Sequence, residues 1–503
     1  MNIKTLLLGS VAAAGLATGA HAADLAKGVM TSLDVCDALG LSGLTISSDT
    51  DCLQLSGSIS YMFAWGDYEV GTGSHNSGLH VVQTPDDYFS IPIAGDANST
   101  TGRANDWDSQ VIAFFNIVAS ADSDFGQAKA VIHIKSEKYL HSANNYGYYD
   151  GDDTGGSSTN TGGTSGTIAA GAAPSGTVQF DKAYVSVGDS TVLTAGNAGS
   201  IANVGDDTPL DWLGLFNSAN VGTGVLWSVN STVGGTTFEG GAGANIQTGG
   251  QSIQVTSSLG NGVTIGGGLE DIGDGNLNRA GTAVGFISYA GDNLTAHLTV
   301  LEAGVLDGHP DGTAYHAGFT GTFDKFKIGA AIAGDSSGYW DGLATAQATF
   351  DMFKLAGSVE ATHDADSTNG GDGYNGFGAS ASATMTVSDG VSINVGGRYF
   401  DGNTGTANNG NRGYQGAIAL IAAVTETLTL EGDIGVYGTT NGSYNVGGAS
   451  SSAISGVPNW QQVYYGAASV TWAPGGGFTS SLKGEAYSDG AYKATFNAAK
   501  TFQ

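Results

Sequence analysis

From Leu53 to Trp65 the chain alternates almost without fault. Leu53, Leu55, Gly57, Ile59, Tyr61, Phe63 and Trp65 fall on one face, and Gln54, Ser56, Ser58, Ser60, Met62 and Ala64 on the other. A period of two is that of a β-strand, whose side chains point to opposite faces in turn. The run covers about thirteen residues, against the roughly 9–11 that a tilted strand needs to cross a bilayer. It ends in aromatic residues, as strands do at a membrane interface. The pattern recurs down the chain. Leu294, Ala296, Leu298 and Val300 oppose Thr295, His297 and Thr299; Leu428, Leu430, Ile434 and Val436 oppose Thr429, Glu431 and Asp433. In the last such run Tyr492, Ala494, Phe496 and Ala498 oppose Lys493, Thr495 and Asn497. The first and last runs are expected to pair and close the sheet.

Alternation alone also fits a soluble sandwich, in which two apolar faces meet. Three features favour a transmembrane antiparallel β-barrel. The runs are long. Aromatics gather at their ends, as at Tyr399-Phe400, Tyr464-Tyr465 and Trp472. Connections alternate between short and long, as the two rims of an outer-membrane barrel do. Short turns are read at Ala121–Gly126, Gly188–Ser190, Gly260–Gly262, Gly291–Asn293, Ser388–Gly390, Thr425–Thr427 and Gly475–Gly477, where Gly, Asn and Asp supply the positive φ of tight hairpins. Residues 66–106, 140–176, 401–411 and 439–459 read as long polar extracellular loops. The expected barrel covers residues 53–503 with sixteen or more strands, and turn counting gives about twenty-two.

The amino terminus carries an export signal. Lys4 is the positive residue, Leu6 to Leu16 the apolar core, and Ala20-His21-Ala22 the cleavage pattern, so residues 1–22 are expected to be removed. No later stretch approaches the 18 or more apolar residues of a spanning helix, so a membrane-spanning form must be a closed barrel. Residues 23–52 form a short segment, expected on the periplasmic side, that holds both cysteines, Cys36 and Cys52. In an exported chain an isolated pair reads as a disulfide, worth about 3 kcal/mol in the chain-entropy estimate. Two free thiols or an incomplete metal pair are the alternatives. The formal charge of −30 argues against a nucleic-acid partner, whose footprint is basic. It predicts a mild preference for cations.

The stretch Val35-Cys36-Asp37-Ala38, followed by Asp51-Cys52-Leu53-Gln54-Leu55-Ser56-Gly57, resembles the start of alphaproteobacterial (Rhizobiales-type) outer-membrane porins. Phe180-Asp181-Lys182-Ala183-Tyr184-Val185-Ser186-Val187-Gly188, Gly199-Ser200-Ile201-Ala202-Asn203 and Asp206 to Phe216 are similar to further family segments. The residue-by-residue likeness covers 1–60 and 178–217. It implies a passive diffusion channel for ions and small hydrophilic solutes in the outer membrane of a Gram-negative cell. It also implies a homotrimer, and a loop folded inward to narrow each barrel. The ending departs from the family pattern, because Phe502 is followed by Gln503.

A passive pore needs a wet lumen, a constriction and charges that bias passage. The constriction candidate is the loop with Asp206, Asp207 and Asp211, anchored by Trp212 and Phe216. Wall cations by parity are Lys129, Lys135, Lys327, Lys354, Arg398 and Lys483, with Lys182 added although alternation breaks there. Each also reads as an ordinary solvated lumen residue. The nine histidines lack metal-ligand spacing, and Asp271 to Asn276 lacks the closing Glu of a calcium loop. No cofactor or enzymatic activity is expected. A substrate-specific channel is the main alternative, but parity shows no aromatic file along the lumen. A secreted structural β-protein is a further one.

Overall fold

A computed structural model describes residues 35–48, 50–67, 79–83, 88–92, 106–141, 178–205, 210–215, 231–233, 236–238, 248–272, 281–306, 312–336, 340–364, 374–403, 411–439, 462–488 and 492–503, with the single residues 308, 310 and 338. The leader expected over residues 1–22 lies outside them. After a helical turn at residues 35–38 come β1 (Leu44–Ser47), β2 (Asp51–Asp67), β3 (Leu79–Gln83), β4 (Tyr88–Pro92), β5 (Asp106–Ser123) and β6 (Gly126–His141). Next are β7 (Val178–Gly188), β8 (Thr191–Ala198), β9 (Ser231–Val233), β10 (Thr236–Phe238), β11 (Gly250–Gly260) and β12 (Val263–Glu270). Then follow β13 (Thr282–Ala290), β14 (Leu294–Ala303), β15 (Gly312–Phe323), β16 (Phe326–Asp335), β17 (Trp340–Thr349) and β18 (Phe353–Asp364). The last are β19 (Tyr374–Ser388), β20 (Val391–Asn403), β21 (Asn411–Thr425), β22 (Leu428–Thr439), β23 (Gln462–Gly475), β24 (Phe478–Tyr487) and β25 (Tyr492–Phe502).

Twenty of these strands pair antiparallel in a closed ring, from β2 through β5 to β8 and β11 to β25, and back to β2. The sequence count of about twenty-two overshoots this number. Alternation does not distinguish a wall strand from a rim strand. The hairpins β3–β4 and β9–β10 form separate two-stranded sheets, and β3–β4 lies inside the stretch read as loop 66–106. The expected closure is present: β2 and β25 pair from Gly57↔Phe502 to Asp67↔Tyr492.

β25 is shorter than β2, and β1 completes the edge that it leaves. Where β25 stops at Gly57, β1 takes over with Leu44↔Leu55 to Ser47↔Cys52. The two strands lie end to end: a Cβ on Gly43 would meet the Gln503 backbone carbonyl carbon at 2.9 Å. Backbone groups of residues 52–55 that would otherwise form an open edge are thus paired. The Cys36–Cys52 disulfide ties the preceding turn to the same strand. Gln127 Nε2 donates to Leu39 O at 2.9 Å and Gln54 Nε2 to Ser42 O at 2.6 Å, so residues 36–42 hang on the inner face of the short-turn mouth.

The pleat sorts the side chains. One parity is apolar and exposed, with Ile59, Val255, Leu298, Val359, Ile418 and Leu420 on it. The other holds Thr299, His316, Glu360 and Asn394, all buried. The apolar set is the outer face. Trp65, Trp107, Trp340 and Phe377 cap it near the long-loop rim, and Phe323, Phe326, Phe353 and Trp472 near the short-turn rim. An aliphatic belt between two aromatic bands is a surface built for hydrocarbon. No helix among the described residues is long and apolar enough to cross a membrane, which says nothing against crossing by strands.

The short turns all lie on one rim. At the β11–β12 hairpin Asn261 and Gly262 have φ of 51° and 80°, the doubly positive pair that a two-residue turn needs to match strand twist.

Candidate lumen site

The stretch after β8 runs along the inner wall. Glu270, at the end of β12 away from the short turns, holds its start at Ser200 and Ile201. Ala202 packs with Val284, Leu301 and Ala314 on β13, β14 and β15. After residues 206–209, which lie outside the described residues together with Phe216, the chain reappears against β16–β20. Ser358 Oγ donates to Asp211 Oδ1 at 2.9 Å, and Trp212 N donates to Ser382 Oγ at 2.8 Å. Leu213 lies over Gly396, where a Cβ would come within 3.2 Å of its side chain. Leu215 is buried among Ala331, Ala333 and Leu343. Arg398 Nη1 donates to Leu215 O at 3.3 Å.

These contacts identify what the sequence reading missed. Of the expected anchors Trp212 and Phe216, Trp212 is only half-buried and Phe216 lies outside the described residues; the buried side chains of the described segment are Asp211, Leu213 and Leu215. The receiving wall is small: Ala331, Ala333, Gly396, Ser358 and Ser382. A run of small residues on an inward face, opposite a segment with Leu213 and Leu215 two positions apart, is the signal that was available. Asp206 and Asp207 lie outside the described residues.

The seven wall cations separate into groups. Register places Lys129 and Lys135 on the inner face of β6 and Lys182 beside them on β7, opposite His133. Asp181 is the bulged residue there, since His133 pairs with Lys182 and Ile134 with Phe180. That extra residue is why alternation breaks, and it leaves Lys182 facing inward. His133 Nδ1 lies 2.7 Å from Asp181 Oδ2 and its ring stacks on Phe114, with Lys135 Nζ 5.9 Å from the same ring centroid. In a ring of twenty strands β6 stands ten strands from β18, so this basic patch faces the wall bearing Asp211 and Glu360. Arg398 instead braces the inner segment and donates to Gln415 Oε1 at 2.7 Å. Lys483 pairs with Glu485 at 2.7 Å. Lys327 and Lys354 are the second residues of their strands, beside the short turns.

One expectation is overturned. The lumen does hold an aromatic file. Tyr437 and Tyr465 stack with centroids 4.6 Å apart, and Tyr465 and Tyr487 follow at 6.2 Å. The three come from β22, β23 and β24, so no single strand reveals them. Strand pairing brings Tyr465 opposite Tyr487 and lays its ring over Gly435, where a Cβ would lie 2.4 Å from Tyr465 Cε1. Gln415 Nε2 donates to Tyr465 OH at 3.1 Å, linking the file to Arg398.

No group of three or more metal-ligating side chains occurs among the described residues. His297 and His316 stack inside the wall, with Nε2 and Nδ1 2.5 Å apart. Each therefore occupies a nitrogen of the other.

Comparison with known proteins gives a partial likeness. No family model matches the chain. Porin Omp2a of Brucella ovis is 43% identical over 82 residues, and Porin Omp2b of Brucella canis is 42% identical over a stretch of the same length. Over that stretch the chain is porin-like. The match spans 16% of this chain and 23% of Omp2a, or 22% of Omp2b. Among solved structures, the anion-selective porin from Comamonas acidovorans aligns over 90% of this chain and all of its own, at 12% identity and a TM-score of 0.36. OccK9 of Pseudomonas aeruginosa aligns over 90% and 98%, at 12% identity and a TM-score of 0.41. The ring described above rests on its own strand register.

Proposed function

We propose that this chain is an outer-membrane porin: a passive, water-filled channel for ions and small hydrophilic solutes, assembled as a homotrimer. The observation that carries the reading is the two-sided ring, apolar and aromatic-banded outside, polar and charged inside. The likeness to Brucella porins supports it. Diffusion through such a lumen makes and breaks no bond, so it requires no catalytic residue and no cofactor. Residues 199–205 and 210–215 narrow the lumen. Asp211, seated on Ser358, marks the acidic side of the passage, and Lys129, Lys135 and Lys182 form the basic side. Purified protein added to a planar bilayer gives stepwise, ohmic conductance. A folded protein that leaves the bilayer sealed overturns the reading.

Cation preference is mild. The chain carries 46 acidic and 16 basic residues, but Lys129, Lys135, Lys182, Lys327, Lys354, Arg398, Lys483 and Lys493 all have inward register. They oppose the inward carboxylates, so the acidic excess biases passage only slightly. The reversal potential in a salt gradient falls on the cation side, and clear anion selectivity would sink this assignment.

The tyrosine file favours a second reading, a channel selective for ring-shaped solutes. Gly435→Val drives the Tyr465 ring off β22 without removing a tyrosine. In liposome swelling, a selective channel then loses its advantage for cyclic over linear solutes of equal mass. A general pore changes both rates alike.

A further inference from the structure

Glu270 is fully buried at the end of β12, and it is not among the residues that parity or family likeness singled out. Both of its oxygens are fully used. Oε1 accepts from Ile201 N at 2.9 Å and from Gln254 Nε2 at 2.9 Å. Oε2 accepts from Ser200 Oγ at 2.6 Å and from Gly249 N at 2.7 Å. Four donors on one carboxylate fill its acceptor sites, and hydrogen bonds to a charged group are the stronger kind. The donors come from three places: the chain leaving β8, the chain entering β11, and the wall itself.

Each neighbour is committed to the same arrangement. Ser200 Oγ, while donating to Glu270, accepts from Ala202 N at 2.9 Å. Gln254 Nε2 also donates to Gly199 O at 2.9 Å. Gly249 has φ of 78°, and a Cβ there would come within 3.1 Å of Ser200 N. The two ends of the excursion between β8 and β11 therefore close on one side chain. That side chain directs the outgoing end inward, toward the cluster of Ala202 with Val284, Leu301 and Ala314.

We propose that Glu270 is the positioning residue of the channel: a latch whose negative charge keeps residues 199–205 on the inner wall and so sets the position of the narrowing segment that follows. The assignment rests on the reading of residues 199–205 and 210–215 as the element that narrows the lumen. A charged acceptor is required, and volume alone does not suffice. In Glu270→Gln the amide nitrogen meets a backbone N–H in either orientation, Gly249 N in one and Ile201 N in the other.

The test uses Ala202→Cys as a reporter. Ala202 is buried, and the described cysteines are joined in a disulfide, so they give no background. In purified, refolded protein the new thiol resists a small hydrophilic maleimide. Adding Glu270→Gln raises the labelling rate by about ten-fold or more, the scale set by losing one hydrogen bond to a charged group. The heat stability of the barrel on semi-native gels stays unchanged, which separates a latch from a general structural residue. Labelling that is unchanged in both Glu270→Gln and Glu270→Ala overturns the proposal, and a variant that does not refold leaves the other to decide. Single-channel conductance is read in parallel. Faster labelling with unchanged conductance upholds the latch and refutes the narrowing role of the segment.

Discussion

Excision of residues 203–215, joining Ala202 to Phe216, raises single-channel conductance roughly two-fold, since conductance follows the open cross-section of a wet pore. The segment is not part of the wall. Among the described residues, no strand of the ring pairs with 203–205 or 210–215, so the backbone ladder survives their removal. What holds them is local: Asp211 on Ser358, Trp212 N on Ser382, Leu213 over Gly396, and Leu215 among Ala331, Ala333 and Leu343. Burying each leucine contributes about 1.5–3 kcal/mol, enough to keep the segment seated in water. Removing it uncovers Leu343 and a wall otherwise of alanine, glycine and serine, whose short side chains leave the space open. Arg398 loses its bond to Leu215 O and keeps Gln415. Planar-bilayer recording checks the result. Conductance equal to the parent's would mean that the segment lies outside the current path.

The second large effect is expected at the seam. Cys36→Ser combined with Cys52→Ser removes a cross-link between positions 16 apart, worth about 3 kcal/mol in the chain-entropy estimate. The consequence exceeds that of an ordinary surface staple, because the loop it closes contains β1. β1 has four residues and, among the described residues, pairs with β2 alone. Without the cross-link it must stay docked through one short ladder and the bonds from Gln54 and Gln127. When it lifts, residues 52–55 of β2 become an open edge. The variant unfolds at lower temperature on semi-native gels, and reductant moves the parent the same way. Equal melting of parent and variant would show that the ladder alone holds β1.

The legible part of this protein and the hidden part differ in kind. Each wall strand carries its own address: the alternation of Leu294 to Val300 against Thr295 to Thr299 states both that the strand is half-apolar and which face is which. The hairpins were legible for the same local reason, because Asn261-Gly262 and Ser388-Asp389-Gly390 hold their own turn chemistry. Lys182 shows where this stops. Its face depends on the Asp181 bulge, a property of how β6 and β7 pair. The tyrosine file was invisible because Tyr437, Tyr465 and Tyr487 sit on three strands, and only pairing puts them in contact. Glu270 was hidden too, since one carboxylate at a strand end carries no mark of the four donors around it.

By itself, then, the sequence determined a chain of half-apolar strands that closes on itself, because a period of two is written residue by residue and needs no partner to be read. Only the tertiary structure decided what the ring encloses. The seating of residues 199–205 and 210–215, the brace of Arg398, the tyrosine file and the grip of Glu270 all depend on residues far apart in the chain. Their positions follow from strand order and register around the ring, which no single strand encodes.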